Sequence, residues 1–375
     1  MENKKEEPRQ HAHGMHHSNK KDKFDIVLIA VVVLGVILII NIFLAFGINQ
    51  NLKKNIDAAK EAARPAKIEL TLIKNSKCAD CFDASQYADY IKSSKVEVLS
   101  EKTLEFNSSE AKSLISKYNI QKIPSILVTG ELDKLNLDGF GKVQDALVLS
   151  QISPPYTDAL NGKVLGRVRL KIVKDDSCAK CNDLGVLIAQ ISSAGIRVIE
   201  QKNISSASNE GKSLISKYRL DFVPTLILSQ DAGEYPLIQQ AWPSIGTKEK
   251  DAYVLRAAYP PFLNLTTGQL RGLIDVIYLT DNSCAGCYNV SFHKSVLTSP
   301  QSFAMTFGNE KTIDISAAEG KELISKYNIS QVPTIILSSE AGVYPSSTGL
   351  AQFFSIEKDG SYVLGSLVLL EHIRT

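Results

Sequence analysis

Hydrophobic positions fall along this chain in two different ways. From Ile26 to Phe46 the residues Ile, Val, Leu, Ala and Phe run almost unbroken, interrupted only by Gly35 and Asn41. Beyond residue 66 the apolar residues come instead in short runs separated by polar stretches. An uncharged run of 21 residues is long enough to cross a bilayer as a helix. A cleavable signal is the rival reading, but its apolar region usually holds about 7 to 15 residues and follows a short basic start. Here a polar segment of 25 residues comes first. The pattern therefore predicts a disordered, basic, His-rich tail over 1–25 and a transmembrane helix over 26–47. After the span, Leu52, Ile56, Ala59 and Ala63 recur at helical spacing until Arg64 meets Pro65, and a residue before proline is disfavoured in helix. A helical stalk over 48–66 follows.

The short runs repeat three times. The first passage carries Cys78-Ala79-Asp80-Cys81, a Leu-Ile-Ser-Lys-Tyr segment over 114–118, then Ile123-Pro124. The second carries Cys178-Ala179-Lys180-Cys181, the same segment over 214–218, then Val223-Pro224. The third carries Cys284-Ala285-Gly286-Cys287, the segment over 323–327, then Val332-Pro333. From first Cys to Pro the separations are 46, 46 and 49 residues, so the landmarks keep their distance while the sequence between them changes. Pro154, Pro155, Gly162 and Gly166 recur 106 residues later as Pro260, Pro261, Gly268 and Gly272, which sets domain edges at 67–161, 162–267 and 268–375. Each unit opens on a β-branched run such as 164–173 or 270–279, read as one buried strand. The Cys pair follows, opening a helix such as 183–194, and a second strand lies near 196–200. The Leu-Ile-Ser-Lys-Tyr segment ends a second helix whose Leu, Ile and Tyr face the core. Runs such as 225–229 and 334–338 make a third strand, and a hairpin returns through 253–255 and 362–364. The fold class is α/β, in three tandem units after one membrane helix.

Composition narrows the function. A chain of 375 residues with 44% hydrophobic and 22% charged residues is packed, and too long for one core. Its 42 basic and 40 acidic residues nearly cancel, so there is no field to gather nucleic acid. Four of the six histidines (His11, His13, His16, His17) lie in the tail, where a solvated segment is favoured over a metal site. Lys and Arg flank the span equally, so orientation rests on length: a short basic tail is held back while long domains cross regardless of charge. The domains are expected outside the cytoplasm, and Asn-x-Ser/Thr triplets at Asn107, Asn203, Asn264, Asn289 and Asn328 suit an exported surface. Trp242, the one tryptophan, sits near a predicted loop, and His293 reads as a surface residue unrelated to the nearby Cys pair.

The segments SKYNIQKIPSILV, SKYRLDFVPTLIL and SKYNISQVPTIIL, each 46 to 49 residues from first Cys to Pro, resemble the thioredoxin proline region, and the resemblance covers about residues 67–375. It implies thioredoxin folds with the proline cis beside the disulfide. Ile123, Pro124, Val223, Pro224, Val332 and Pro333 then take the substrate-side positions. Two departures matter. Lys77, Ser177 and Ser283 replace the family's aromatic residue before the first Cys, and Leu72, Ile172 and Tyr278 stand where it has a buried acid. That acid assists proton transfer from the second thiol, so turnover is expected to be slow.

A thiol at a helix N-terminus faces free N–H groups that stabilise its thiolate. Cys78, Cys178 and Cys284 would then attack as the exposed sulfurs, and Cys81, Cys181 and Cys287 would resolve the mixed disulfide. Asp80, Lys180 and Gly286 differ in charge beside these thiols, which orders the pairs as second unit most oxidising, third intermediate, first most reducing. The expected function is a membrane-anchored thiol–disulfide oxidoreductase with no cofactor and no bound metal. Its partners are protein thiols and disulfides, a recycling redox partner for which the membrane is a natural location, and the bilayer through residues 26–47. Inert local disulfides are a weaker reading, because so short a loop removes little unfolded-state entropy. Two alternatives stay open: a scaffold that binds partner proteins, and a copper- or metal-thiolate module, for which each pair offers two of the four ligands of a tetrahedral site.

Overall fold

The computed structural model describes residues 20–365; the tail histidines and residues 366–375 lie outside them. The first element, α1 (Lys20–Ala63), is one continuous helix of 44 residues, about 66 Å long at 1.5 Å per residue. It takes in residues 20–25 of the expected disordered tail and runs through span and stalk without a break. It is long and apolar enough to cross a membrane, with an 18-residue window of mean hydropathy 3.2. It stops where the Arg64-Pro65 step predicts. Below it Arg64 donates to both Glu61 and Glu131, and Lys134 donates to the Glu61 carbonyl at 2.7 Å, so the helix end is tied to the first α/β unit.

Three α/β units follow. The first comprises β1 (Ala66–Lys74), α2 (Ser85–Ser93), β2 (Val96–Glu105), α3 (Ser109–Lys117), β3 (Lys122–Ile123), β4 (Ser125–Gly130), β5 (Phe140–Val143) and β6 (Ala146–Leu149). Its sheet runs β2-β1-β4-β6-β5, with β1 and β2 parallel and the other pairs antiparallel. The parallel pair needs the crossover that α2 supplies. On β1 the alternation is direct: Ile68 and Leu70 face a core that includes Ala88 and Ile91 of α2, whereas Ile73 faces Ala111 of α3. Strands 168–174 and 273–280 occupy the same central place in sheets of the same order. The hairpins returning through 252–255 and 362–364 form as expected.

The β-branched runs 164–173 and 270–279 are not single strands. Each breaks at a glycine of positive φ, Gly166 (+87°) and Gly272 (+81°). The part before the glycine joins a second, three-stranded sheet. That sheet is made of β3, β7 (Tyr156–Asp158) and β8 (Val164–Leu165); strands 222–223, 262–264 and 270–271 form its counterpart. A Cβ on either glycine would lie 2.3 Å from Cβ of Pro154 or Pro260, so the diproline and the glycine specify each other. The Gly166 N–H donates to Asp231 at 3.0 Å, and its carbonyl accepts from Tyr235 Oη at 2.7 Å. The tight approach is thereby fully bonded.

Trp242 is a core residue, 3% exposed, on helix Pro236–Ile245, and packs edge-on to Tyr253. The loop expected there is a helix because Pro236 starts it at a position that lacks an N–H partner anyway. Tyr118 and Tyr218 pack into their cores as expected, while Tyr327 is half-buried. In all three, the preceding lysine lies over the tyrosine ring at 4.5 to 4.7 Å.

Candidate functional site

Each central strand ends a few residues before its Cys pair, and the X-Pro step precedes the strand antiparallel to it, so both reach the same end of the sheet. The three pairs are disulfides, Cys78–Cys81, Cys178–Cys181 and Cys284–Cys287, with Cα separations of 5.3, 5.5 and 5.4 Å. The Ile123-Pro124, Val223-Pro224 and Val332-Pro333 bonds are cis. In the third unit Tyr288, next to Cys287, donates to the Pro333 carbonyl at 3.2 Å, which joins the two motifs directly.

The Cys pairs do not open helices. Each occupies a turn closed by the N–H of the second Cys on the carbonyl of the first, at 3.3 to 3.4 Å, and the helices begin only at Ser85, Gly185 and Phe292. In the first two units a contact from a distant segment holds the chain off a helix. The Phe82 N–H donates to the Pro155 carbonyl and the Asn182 N–H to that of Pro261, both at 2.7 Å, so the chain after the second Cys is held by the following linker. Asp83 and Asp183 then accept from the N–H groups of Ser85 and Gly185, and Asn289 from that of Ser291. An Asp or Asn two residues beyond each pair was the legible signal for this later helix start.

Burial also differs from expectation. Cys78 is 8% exposed while Cys81 is half-buried, and in the third unit Cys287 is exposed while Cys284 is half-buried. In these two pairs the first Cys is therefore not the open one, and at the first of them Arg167 of the second unit lies against it. The six substrate-side residues divide as well. Ile123 and Val223 are buried and already paired, with Thr157 of β7 and with Leu263, and Pro124 and Pro224 are buried beside them. Val332 is half-buried next to the buried Pro333, and among the described residues no strand pairs with it.

Several side chains that sequence reasoning passed over converge on these sulfurs. Thr157 Oγ1 lies 3.8 Å from Cys81 Sγ and accepts from Asn75 Nδ2 at 3.0 Å. Its hydroxyl proton is thus left for the sulfur. Arg167 of the second unit reaches Cys78 Sγ at 3.6 Å and forms a two-pronged ion pair with Asp80. Arg197 stands 3.9 Å from the same carboxylate. Arg167 holds the Asp80 carboxyl below its ordinary range. The expectation that a free Asp80 makes the first pair most reducing loses its premise, since that charge is matched. His293 is buried, 6% exposed, with Nε2 3.2 Å from Tyr288 Oη; burial pushes its pKa down. A half-polar helix face hid it, because its neighbour Phe292 is the exposed one. Leu72, Ile172 and Tyr278 are at least half-buried, and Tyr278 donates to Glu310 at 2.9 Å. Among the described residues no three His, Cys, Asp or Glu side chains gather as metal ligands would.

Strand order, paired cysteines and the prolines beside them define a class: the chain is an α/β protein with three thioredoxin-like units after an apolar helix. No family model and no curated protein matches it. Among solved structures it is similar to ERdj5 in crystal form II (10% identity, 75% of this chain and 39% of that one, TM-score 0.14). It is also similar to the zinc-bound form of human ERp44 (9%, 82% and 88%, 0.16), and to the NTD_N/C domain of alkylhydroperoxide reductase AhpF from Enterococcus faecalis (13%, 48% and 89%, 0.14). The chain spans about 39% of the length of ERdj5. At these scores the likenesses carry no argument about activity, and the assignment rests on topology and site geometry.

Proposed function

We propose that the protein is a membrane-anchored thiol–disulfide oxidoreductase that acts on protein thiols and disulfides through Cys78–Cys81, Cys178–Cys181 and Cys284–Cys287. The observation that carries this reading is the three-fold recurrence of a Cys pair at bonding distance at the end of a central strand, with an X-Pro step at the same end. A thiolate of a reduced pair attacks a substrate disulfide, forming a mixed disulfide and releasing one substrate thiolate. The second thiolate of the pair then attacks the bonded cysteine and releases the other. Two electrons pass to the substrate, whose two thiolates take up two protons; run backwards, the same steps oxidise a substrate dithiol.

The units are proposed as residues 67–161, 162–267 and 268–375, with α1 as anchor and the units outside the cytoplasm. Exposed Asn107, Asn203, Asn289 and Asn328 support that orientation. The third unit is the proposed entry for protein substrates, at Val332 and Pro333, because among the described residues no strand pairs with Val332 and an extended peptide can add to such an open backbone. The paired edges at Ile123 and Val223 favour a second role for the first two units, as a scaffold and electron relay behind the third. In the first unit the Thr157 hydroxyl can donate to the Cys81 sulfur but, unlike a carboxylate, cannot take its proton, which supports slow turnover. Reduction of insulin by dithiothreitol tests the reading: the full chain should exceed a variant with all six Cys changed to Ser, yet stay slower than thioredoxin in parallel. Equality with the six-serine variant would overturn it.

A further inference from the structure

We propose that the Cys78–Cys81 site is built from two units, with Arg167 of the second unit as its thiolate-stabilising residue. The proposal rests on the thiol–disulfide reading above and assigns one pair's redox poise to a residue outside its own fold.

Three observations converge on it. First, the Cys78 sulfur lacks what a helix N-terminus would give, since α2 begins at Ser85. Second, Arg167 Nη2 and Asp80 Oδ1 each lie 3.6 Å from Cys78 Sγ, so carboxylate and guanidinium act on the sulfur from equal distance. Arg197 approaches Asp80 at 3.9 Å, so two guanidinium groups share the Asp80 carboxylate; Asp231, which accepts the Gly166 N–H, is the other carboxylate nearby. Third, the backbone that carries Arg167 is fixed. Its neighbour Gly166 is bonded on both sides, to Asp231 and Tyr235, and locked against Pro154. Among the described residues the arrangement is particular to the first pair: Leu273 holds the equivalent place after Gly272, and Lys180 beside the second pair is exposed. Arg167 therefore supplies at Cys78 the positive charge that the displaced helix does not.

A cation at this distance favours thiolate, and favouring thiolate favours the reduced pair. Reduction here joins two glutathione thiols into one glutathione disulfide and turns the Cys78–Cys81 disulfide into two thiols, a two-electron exchange. Removing Arg167 leaves Asp80 facing the sulfur with only the more distant Arg197 to offset its charge. The Arg167 side chain is 35% exposed, so the effect belongs at the low end of the range for opposite charges, about one pKa unit.

The test uses the full chain in detergent, fully reduced with a phosphine, and reads the pH profile of iodoacetamide alkylation at each cysteine by mass spectrometry. In Arg167→Gln the midpoint for Cys78 should rise by about one unit; Arg167→Lys should restore most of it, and Asp80→Asn should move it down. Cys178 and Cys284 serve as controls and should not move. A parallel glutathione titration should show the first pair about tenfold harder to reduce in Arg167→Gln, about 30 mV. An unchanged Cys78 profile, or equal shifts at all three pairs, would overturn the proposal. Failure of every pair to equilibrate with glutathione would instead count against the redox reading, while the alkylation profile still decides the role of Arg167.

Discussion

Gly166→Ala tests the join between the first two units. Alanine meets two penalties there. At φ +87° an L-residue costs about 1 to 2 kcal/mol. Its Cβ would also lie 2.3 Å from Pro154 Cβ and 3.3 Å from two backbone atoms, and forcing such overlap into a packed site costs about 1 to 3 kcal/mol. Stiffening of the unfolded chain returns about 0.4 to 1 kcal/mol. Gly195 provides the control: it has φ +75° and nothing within 4 Å of an added methyl, so Gly195→Ala carries the backbone penalty alone. Both glycines report on the second unit, whose core holds Trp242, the sole tryptophan. Its emission during urea unfolding of the full chain therefore isolates that unit. With a slope of about 1.5 kcal/mol per molar urea, the midpoint should fall by about 1 to 2 M more in Gly166→Ala than in Gly195→Ala. Equal midpoints would show that the Pro154 contact does not constrain the turn.

Tyr235→Phe should lower the same Trp242 midpoint, by about 1 to 3 kcal/mol, because its hydroxyl both donates to the Gly166 carbonyl and accepts the Arg197 N–H at 2.9 Å. His293 should make the third unit acid-sensitive. Its pKa is depressed by burial below the ordinary 6.5, so the unfolded chain binds the proton first and stability is lost as pH falls below about 6.5. Hydrogen exchange across 334–337, corrected for intrinsic rates, should accelerate between pH 7 and 5 in the wild type and much less in His293→Gln. Protease added to intact cells should remove the Cys-bearing units and spare the tail; protection of those fragments, with lysed cells cut as control, would reverse the proposed orientation.

The sequence made the repeat legible because its landmarks are covalent or conformational necessities. Paired cysteines, an X-Pro step and the Leu-Ile-Ser-Lys-Tyr helix cannot drift far without losing the same sheet end. The end of α1 was legible for a local reason, the Arg64-Pro65 step. What it concealed were features set by contacts between distant segments. The strand break at Gly166 looks like a continuous β-branched run until Pro154 closes on it. The turn at Cys78 looks like a helix start until the Pro155 carbonyl takes the Phe82 N–H. Asp80 looks like a lone charge until Arg167, 87 residues away, pairs with it. Trp242 is expected beside a loop and His293 at the surface, although each side chain points into a core.

Trapping of mixed disulfides tests thiol–disulfide exchange most directly. Two full-chain variants are needed: one carrying Cys81→Ser, Cys181→Ser and Cys287→Ser retains Cys78, Cys178 and Cys284, and the other carrying Cys78→Ser, Cys178→Ser and Cys284→Ser retains Cys81, Cys181 and Cys287; neither can complete the second step. Reduced and then exposed to an unfolded, disulfide-containing protein, at least one should accumulate covalent complexes that dithiothreitol dissolves, with more through the exposed Cys287 than through the buried Cys78. No complexes beyond those of the six-serine variant would contradict the account.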